Sequence, residues 1–141
     1  MVNKRPLSVR EGNVYLDGDL VADTCKYNAI FTPTVWSGKT LGERGTNRRW
    51  TGYDITGTLD SWKTTNLYRE KITEYIKTGR TPEFTIYGVN DDVNSDFYDR
   101  FGKDEVTLIG CVLTGDITLM DLDTDGDVAK ISVAFGAKDM L

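Results

Sequence analysis

Two long stretches of this 141-residue chain alternate between apolar and polar residues, and they constrain the fold more than any other feature. From about Leu20 to Thr32, Val21, Cys25, Tyr27, Ala29 and Phe31 fall on one face, while Thr24, Lys26 and Asn28 fall on the other. From Trp50 to Asp60, Tyr53, Ile55 and Leu59 oppose Asp54, Thr56, Thr58 and Asp60. A period of two is the mark of a half-buried strand, and strands this long need a sheet to lie in. Gly52 and Gly57 interrupt the second stretch and predict a bulge or a close backbone approach.

The remaining elements follow from turn and capping signals. Val14-Tyr15-Leu16 leads into Asp17-Gly18, a type I′ hairpin signal. From about 65 to 78 the period changes: Tyr68, Ile72, Tyr75 and Ile76 form one helical stripe, stopped by Gly79 and Pro82. Strands are expected at Phe84–Val89, Glu105–Leu113, Asp116–Leu122 and Val128–Phe135. Two long aperiodic loops remain, at 33–49 and 90–103. The whole is one mainly β domain spanning 1–141, a β-sandwich or open barrel with one packed α-helix and long inter-strand loops.

Composition narrows the chemistry. No histidine is present, so Ser-His-Asp and Cys-His catalysis and His-containing zinc sites are excluded. No phosphate-cradling glycine loop appears, and the chain is not expected to be an enzyme or to carry a cofactor. The net charge of −5 argues against a tight nucleic-acid binder. That charge is split: residues 1–80 carry +4 and residues 81–141 carry −9. Such a split is either a solvated-surface accident or a pair of complementary faces that meet between identical subunits. The start, Met1 to Pro6, has no apolar run and does not read as a signal peptide. No stretch approaches a membrane span. Cys25 and Cys111 are expected to be buried free thiols in a reducing compartment.

Asp121-Leu122-Asp123-Thr124-Asp125-Gly126 matches the opening of a calcium loop. The glutamate expected at the twelfth position is Ser132, and the flanks alternate like strands. An acidic turn between two strands is therefore expected, and no metal is assigned. The 33–49 loop carries Trp36 with Arg44, Arg48 and Arg49, the composition of a binding hot spot, or else of a tryptophan folded back on its own core.

The order Gly12-x-x-Tyr15-Leu16-Asp17-Gly18, Trp50-Thr51-Gly52-Tyr53-x-x-x-Gly57-Thr58-Leu59 and Lys77-Thr78-Gly79-x-x-Pro82-x-Phe84 resembles the tail tube proteins of PBSX-type prophages and R-type contractile bacteriocins. The resemblance covers roughly residues 10–135. It implies a structural subunit that forms hexameric rings, stacked into a hollow tube whose lumen conducts DNA in phages or which pierces the target envelope in bacteriocins. It implies sheath, baseplate and tape-measure partners, and a virion or phage-tail-like particle assembled in the bacterial cytoplasm. On this reading Trp36, Arg44, Arg48, Arg49 and Trp50 are subunit-interface residues. Thr24, Lys26, Asn28, Asp54, Thr56, Thr58, Asp116, Thr118, Lys130 and Ser132 are candidates for the lumen, or else for outer solvent. Phe97, Tyr98 and Phe101 face a sheath or pack beneath their own loop. The alternatives are a monomeric β-sandwich binding module with a weak cation site, and the tube of a related secretion or injection system.

Overall fold

The computed structural model describes residues 3–141; Met1 and Val2, where the leader reading begins, lie outside it. A short 3-10 turn, Val9–Glu11, leads into strands β1 (Gly12–Leu16), β2 (Asp19–Leu20), β3 (Thr24–Gly38) and β4 (Asn47–Trp62). Helix α1 (Leu67–Thr78), β5 (Phe84–Asn90), helix α2 (Asp96–Phe101), β6 (Asp104–Leu113), β7 (Lys130–Ala137) and β8 (Asp139–Met140) complete the chain.

All strand pairings are antiparallel, in the spatial order β2-β1-β5-β6-β7-β4-β3, with β8 also paired to β6. Strand β6 is the corner. It pairs with β5 as far as Cys111 and with β7 through Val112 and Leu113. Gly110 sits at the bend with φ of 63°, a conformation that favours glycine. The sheet curls there, so that side chains from both halves meet in one core. Val14, Leu16, Ile86 and Leu108 come from one half, and Ile55, Leu59, Val133 and Phe135 from the other. On the far strand β3, the Tyr27 ring stacks on Phe135 at 6.2 Å. Its Cε1 also lies 3.1 Å from where a Cβ on Gly88 of β5 would stand. The mainly β open barrel is thus present, closed by packing rather than by a last strand pairing.

Local signals were legible where they predicted. Asp17 and Gly18 both have positive φ, 50° and 88°, as a type I′ turn requires. Helix α1 ends at Gly79, whose φ is 72° and whose N–H bonds the Tyr75 carbonyl. Gly57 marks a close approach: a Cβ there would lie 2.1 Å from the Asn28 carbonyl oxygen and 2.6 Å from the Phe135 ring.

Six expectations are corrected. The 33–49 loop is mostly strand; only residues 39–46 turn between β3 and β4. The 90–103 loop contains α2. Asp116–Leu122 is not a strand, and residues 114–129 are irregular. Five aspartates between 116 and 127 disfavour a pleated ladder, and the segment is held instead through the Leu119 carbonyl, which accepts from Lys63 Nζ and Arg69 Nη2. The acidic turn exists, with Asp125 N–H donating to Asp123 Oδ1 at 2.9 Å, but no strand precedes it. Cys111 is buried but Cys25 is exposed, because the register shift between Thr24 and Lys26 turns it out of the alternation. Finally, only the first half of the helical stripe is covered: Tyr68 is buried, whereas Tyr75 and Ile76 are exposed.

Candidate assembly surface

The site is set by a mismatch of strand lengths. Strand β4 pairs with β7 only from Ile55 to Trp62, yet continues outward to Asn47 alongside β3. Beyond Ile55 the two strands therefore form a projecting two-stranded arm. One side of the arm continues the core face of the barrel with nothing to cover it. Phe31, Val35, Tyr53 and Trp50 lie on it, and Phe31 packs at 5.5 Å from Trp50 and 5.6 Å from Tyr53. All four are at least 45% exposed. Tyr53 is tied back to the body, its hydroxyl donating to the Lys138 carbonyl at 3.2 Å.

The structure separates the residues expected to act together at the interface. A second register shift, between Thr34 and Val35, sets the faces of the tip. Trp36 pairs with Arg49 on one face, and Val35 with Trp50 and Ser37 with Arg48 on the other. Arg44 stands in the turn. The Trp36 ring folds over Gly38, with Cζ2 2.8 Å from the position of an added Cβ, yet Trp36 remains 55% exposed. It is not among the side chains packed on the core. Among the described residues Arg44, Arg48 and Arg49 form no ion pair.

The polar residues sort more simply. Lys26, Asn28, Asp54, Thr56, Thr58, Lys130 and Ser132 share one face of the β3–β4–β7 sheet by register. Asn28 Oδ1 accepts from the Thr58 N–H at 2.9 Å and its hydroxyl at 3.2 Å, and Ser132 Oγ donates to Asp60 Oδ1 at 2.5 Å. Three candidates depart from this face. Thr24 precedes the register shift and pairs with buried Ser61. Asp116 and Thr118 lie in the irregular segment.

Phe97, Tyr98 and Phe101 all belong to α2. Phe97 packs on Phe101 at 5.2 Å, and Phe101 is 66% exposed beneath the Arg100 guanidinium. Sequence reasoning missed what fixes this helix. Buried Ser95 caps it, accepting from the Tyr98 N–H at 3.1 Å while donating to the Asp92 carbonyl at 2.7 Å. Arg5 straps the N-terminal segment across it. The Arg5 backbone N–H donates to Asp96 at 2.9 Å, and the guanidinium reaches Asp96 at 3.1 Å and Asp99 at 2.8 Å. The backbone N–H, followed by the guanidinium, holds the Asp96 carboxyl below the ordinary carboxylate range. Serine followed by acidic residues is a capping signal that could have been read; the strap, from 91 residues away, could not.

An arm with an uncovered aromatic face, open edges at β3 and β2, and a largely polar opposite face interrupted by Ile30 and Trp62 is suited to joining copies. Over 133 residues the chain is 29% identical to the phage-like element PBSX protein XkdM of Bacillus subtilis strain 168, covering 94% of this chain and 87% of that protein. The same figures hold for the uncharacterized protein YqbM of that strain. In fold it is similar to the sheath/tube terminator of an extracellular contractile injection system in the extended state. The TM-score there is 0.73 at 13% identity, over 99% of this chain and 98% of the other. It is also similar in fold to a chain in the virion of a gene transfer agent, with a TM-score of 0.59 at 15% identity over 94% of each. The phage tail tube protein family model matches residues 1–140, and this chain belongs to that family as a structural component of a tail tube.

Proposed function

We propose that the chain assembles into hexameric rings that stack into a hollow tube, with the polar β3–β4–β7 face lining the lumen and the β3–β4 arm reaching a neighbouring copy. The projecting arm carries this reading. Half-exposed Phe31, Tyr53 and Trp50 on one surface form an apolar patch of the kind that marks a protein interface. The free edge of β3, 15 residues long, is a liability that pairing with a neighbour removes. Trp50 anchors the buried face of the contact and Trp36 the other, with Arg44, Arg48 and Arg49 supplying charge.

The proposed lumen face is rich in short polar side chains, with lysine and aspartate interspersed. Such a wall holds water and offers phosphates no basic cluster, so DNA slides past it; in a bacteriocin-like particle the same tube pierces an envelope. Thr24, Asp116 and Thr118 are not assigned to the wall. Sheath, baseplate and tape-measure proteins are the proposed partners, in a particle assembled in the bacterial cytoplasm. The exposed side chains of α2 are the outward contact for a sheath.

Negative-stain electron microscopy of the concentrated protein tests the assembly, with hollow tubes of sixfold end-on symmetry expected. Cysteine at Thr56, in a Cys25→Ser background, tests the lumen. It should resist a bulky thiol reagent in tubes and react in monomers; equal reaction in both states would refute the placement.

A further inference from the structure

We propose that the basic tip of the arm docks on the opposite end of a second copy, where an acidic cleft at the foot of the same hairpin receives its arginine side chains. The inference rests on the tube reading and adds the receiving surface to it.

The foot is where β3 begins and β4 ends. A cleft of about 230 Å³ opens there, with Asp19, Asp23 and Trp62 in its wall. Trp62 is 50% exposed. Ser61 and Tyr68 line the same cleft, are almost wholly buried, and have hydroxyls without a hydrogen-bond partner. Buried hydroxyls are normally satisfied, so this wall is short of polar partners. The acidic segment comes to the same end. Lys63, directly after β4, donates its N–H to the Ala129 carbonyl and its Nζ to the Leu119 carbonyl at 2.7 Å. Asp121, Asp123 and Asp125 lie between those two anchors, all exposed and none in an ion pair among the described residues.

The tip has the complementary chemistry: Lys39, Arg44, Arg48 and Arg49, with Trp36 and Trp50. A guanidinium suits the cleft because it pairs with carboxylates bidentately and stacks on an indole face. The arm cannot satisfy its own foot. Tip and foot lie at opposite ends of a paired 15-residue strand, about 50 Å apart at ~3.3 Å per residue. The occupant is therefore a second copy. Because the two contacting surfaces differ, the contact is heterologous and propagates in one direction.

The test uses two surface variants of the full chain, Arg44→Glu/Arg48→Glu at the tip and Asp19→Lys, in the cleft wall, at the foot. Each is expected to keep the wild-type melting temperature. Each alone should lose about tenfold in sedimentable tubes, and an equimolar mixture should recover them, because unlike charges meet again. Wild-type tubes alongside unaffected foot-variant tubes would overturn the inference alone. So would a mixture that fails to assemble when both variants are folded. Absence of tubes from the wild-type protein would overturn the tube reading, and this inference with it.

Discussion

Gly57 is the most tightly enclosed glycine among the described residues. Its missing side chain lets β4 pass between the Asn28 carbonyl and the Phe135 ring, where a Cβ would intrude to 2.1 Å and 2.6 Å. Neither obstacle is the free end of a flexible chain, so Gly57→Ala should destabilise by about 3 kcal/mol through forced strand movement. A urea melt giving a loss below about 1 kcal/mol would contradict this. The glycine was legible as a close approach from its place inside an alternating strand; what it approaches was not, because Asn28 and Phe135 are brought to it by pairing. Cys25 shows the opposite failure. Its neighbours suggested burial, but one extra residue at the register shift turns it to solvent, and a bulge of that kind leaves no mark in a run of alternating residues.

Among elements, α2 is held by the Ser95 cap as well as by the Arg5 strap. Ser95→Ala removes both its bond to the Tyr98 N–H and its bond to the Asp92 carbonyl. A loss of about 1–2 kcal/mol is expected, with amide exchange quickening over 96–101 before the rest. The arm makes a contrasting prediction. Phe31 and Trp50 are 45% and 65% exposed, so replacing both by serine should change the monomer's stability by about 1 kcal/mol or less while abolishing tubes in the microscope. Persistent tubes would remove the arm from the interface. The arm was half legible. The alternation of β3 and β4 was clear, and Phe31 was placed on its face, but the Thr34/Val35 register shift broke the period and made strand look like loop. Segment 114–129 misled the other way: Ile117 and Leu119 alternate, yet alternation without a ladder partner makes no strand.

Across the whole molecule, the core couples stability to alkaline pH. Burial pushes the Tyr27 and Tyr68 phenols from an ordinary 10.0 up to about 12, because a phenolate there would lose its water. A raised folded pKa stabilises the fold fully below pH 10 and releases that stabilisation as pH rises toward about 12. Melting temperature should therefore fall across that window. Tyr68→Phe, which removes one of the two phenols, should make the fall shallower; an unchanged slope would assign the effect elsewhere. Charge is also arranged along the β3–β4 hairpin at this scale. The hairpin is about 50 Å long, basic at the tip, with acidic side chains at its foot. A subunit with unlike ends restores, with each copy added, the same free end that was just consumed. On the proposed tip-to-foot contact, growth keeps no count: every step is energetically the same as the last, so such a contact carries no signal to stop. On that proposal, the length of a filament is set by a ruler or a plug made from another molecule.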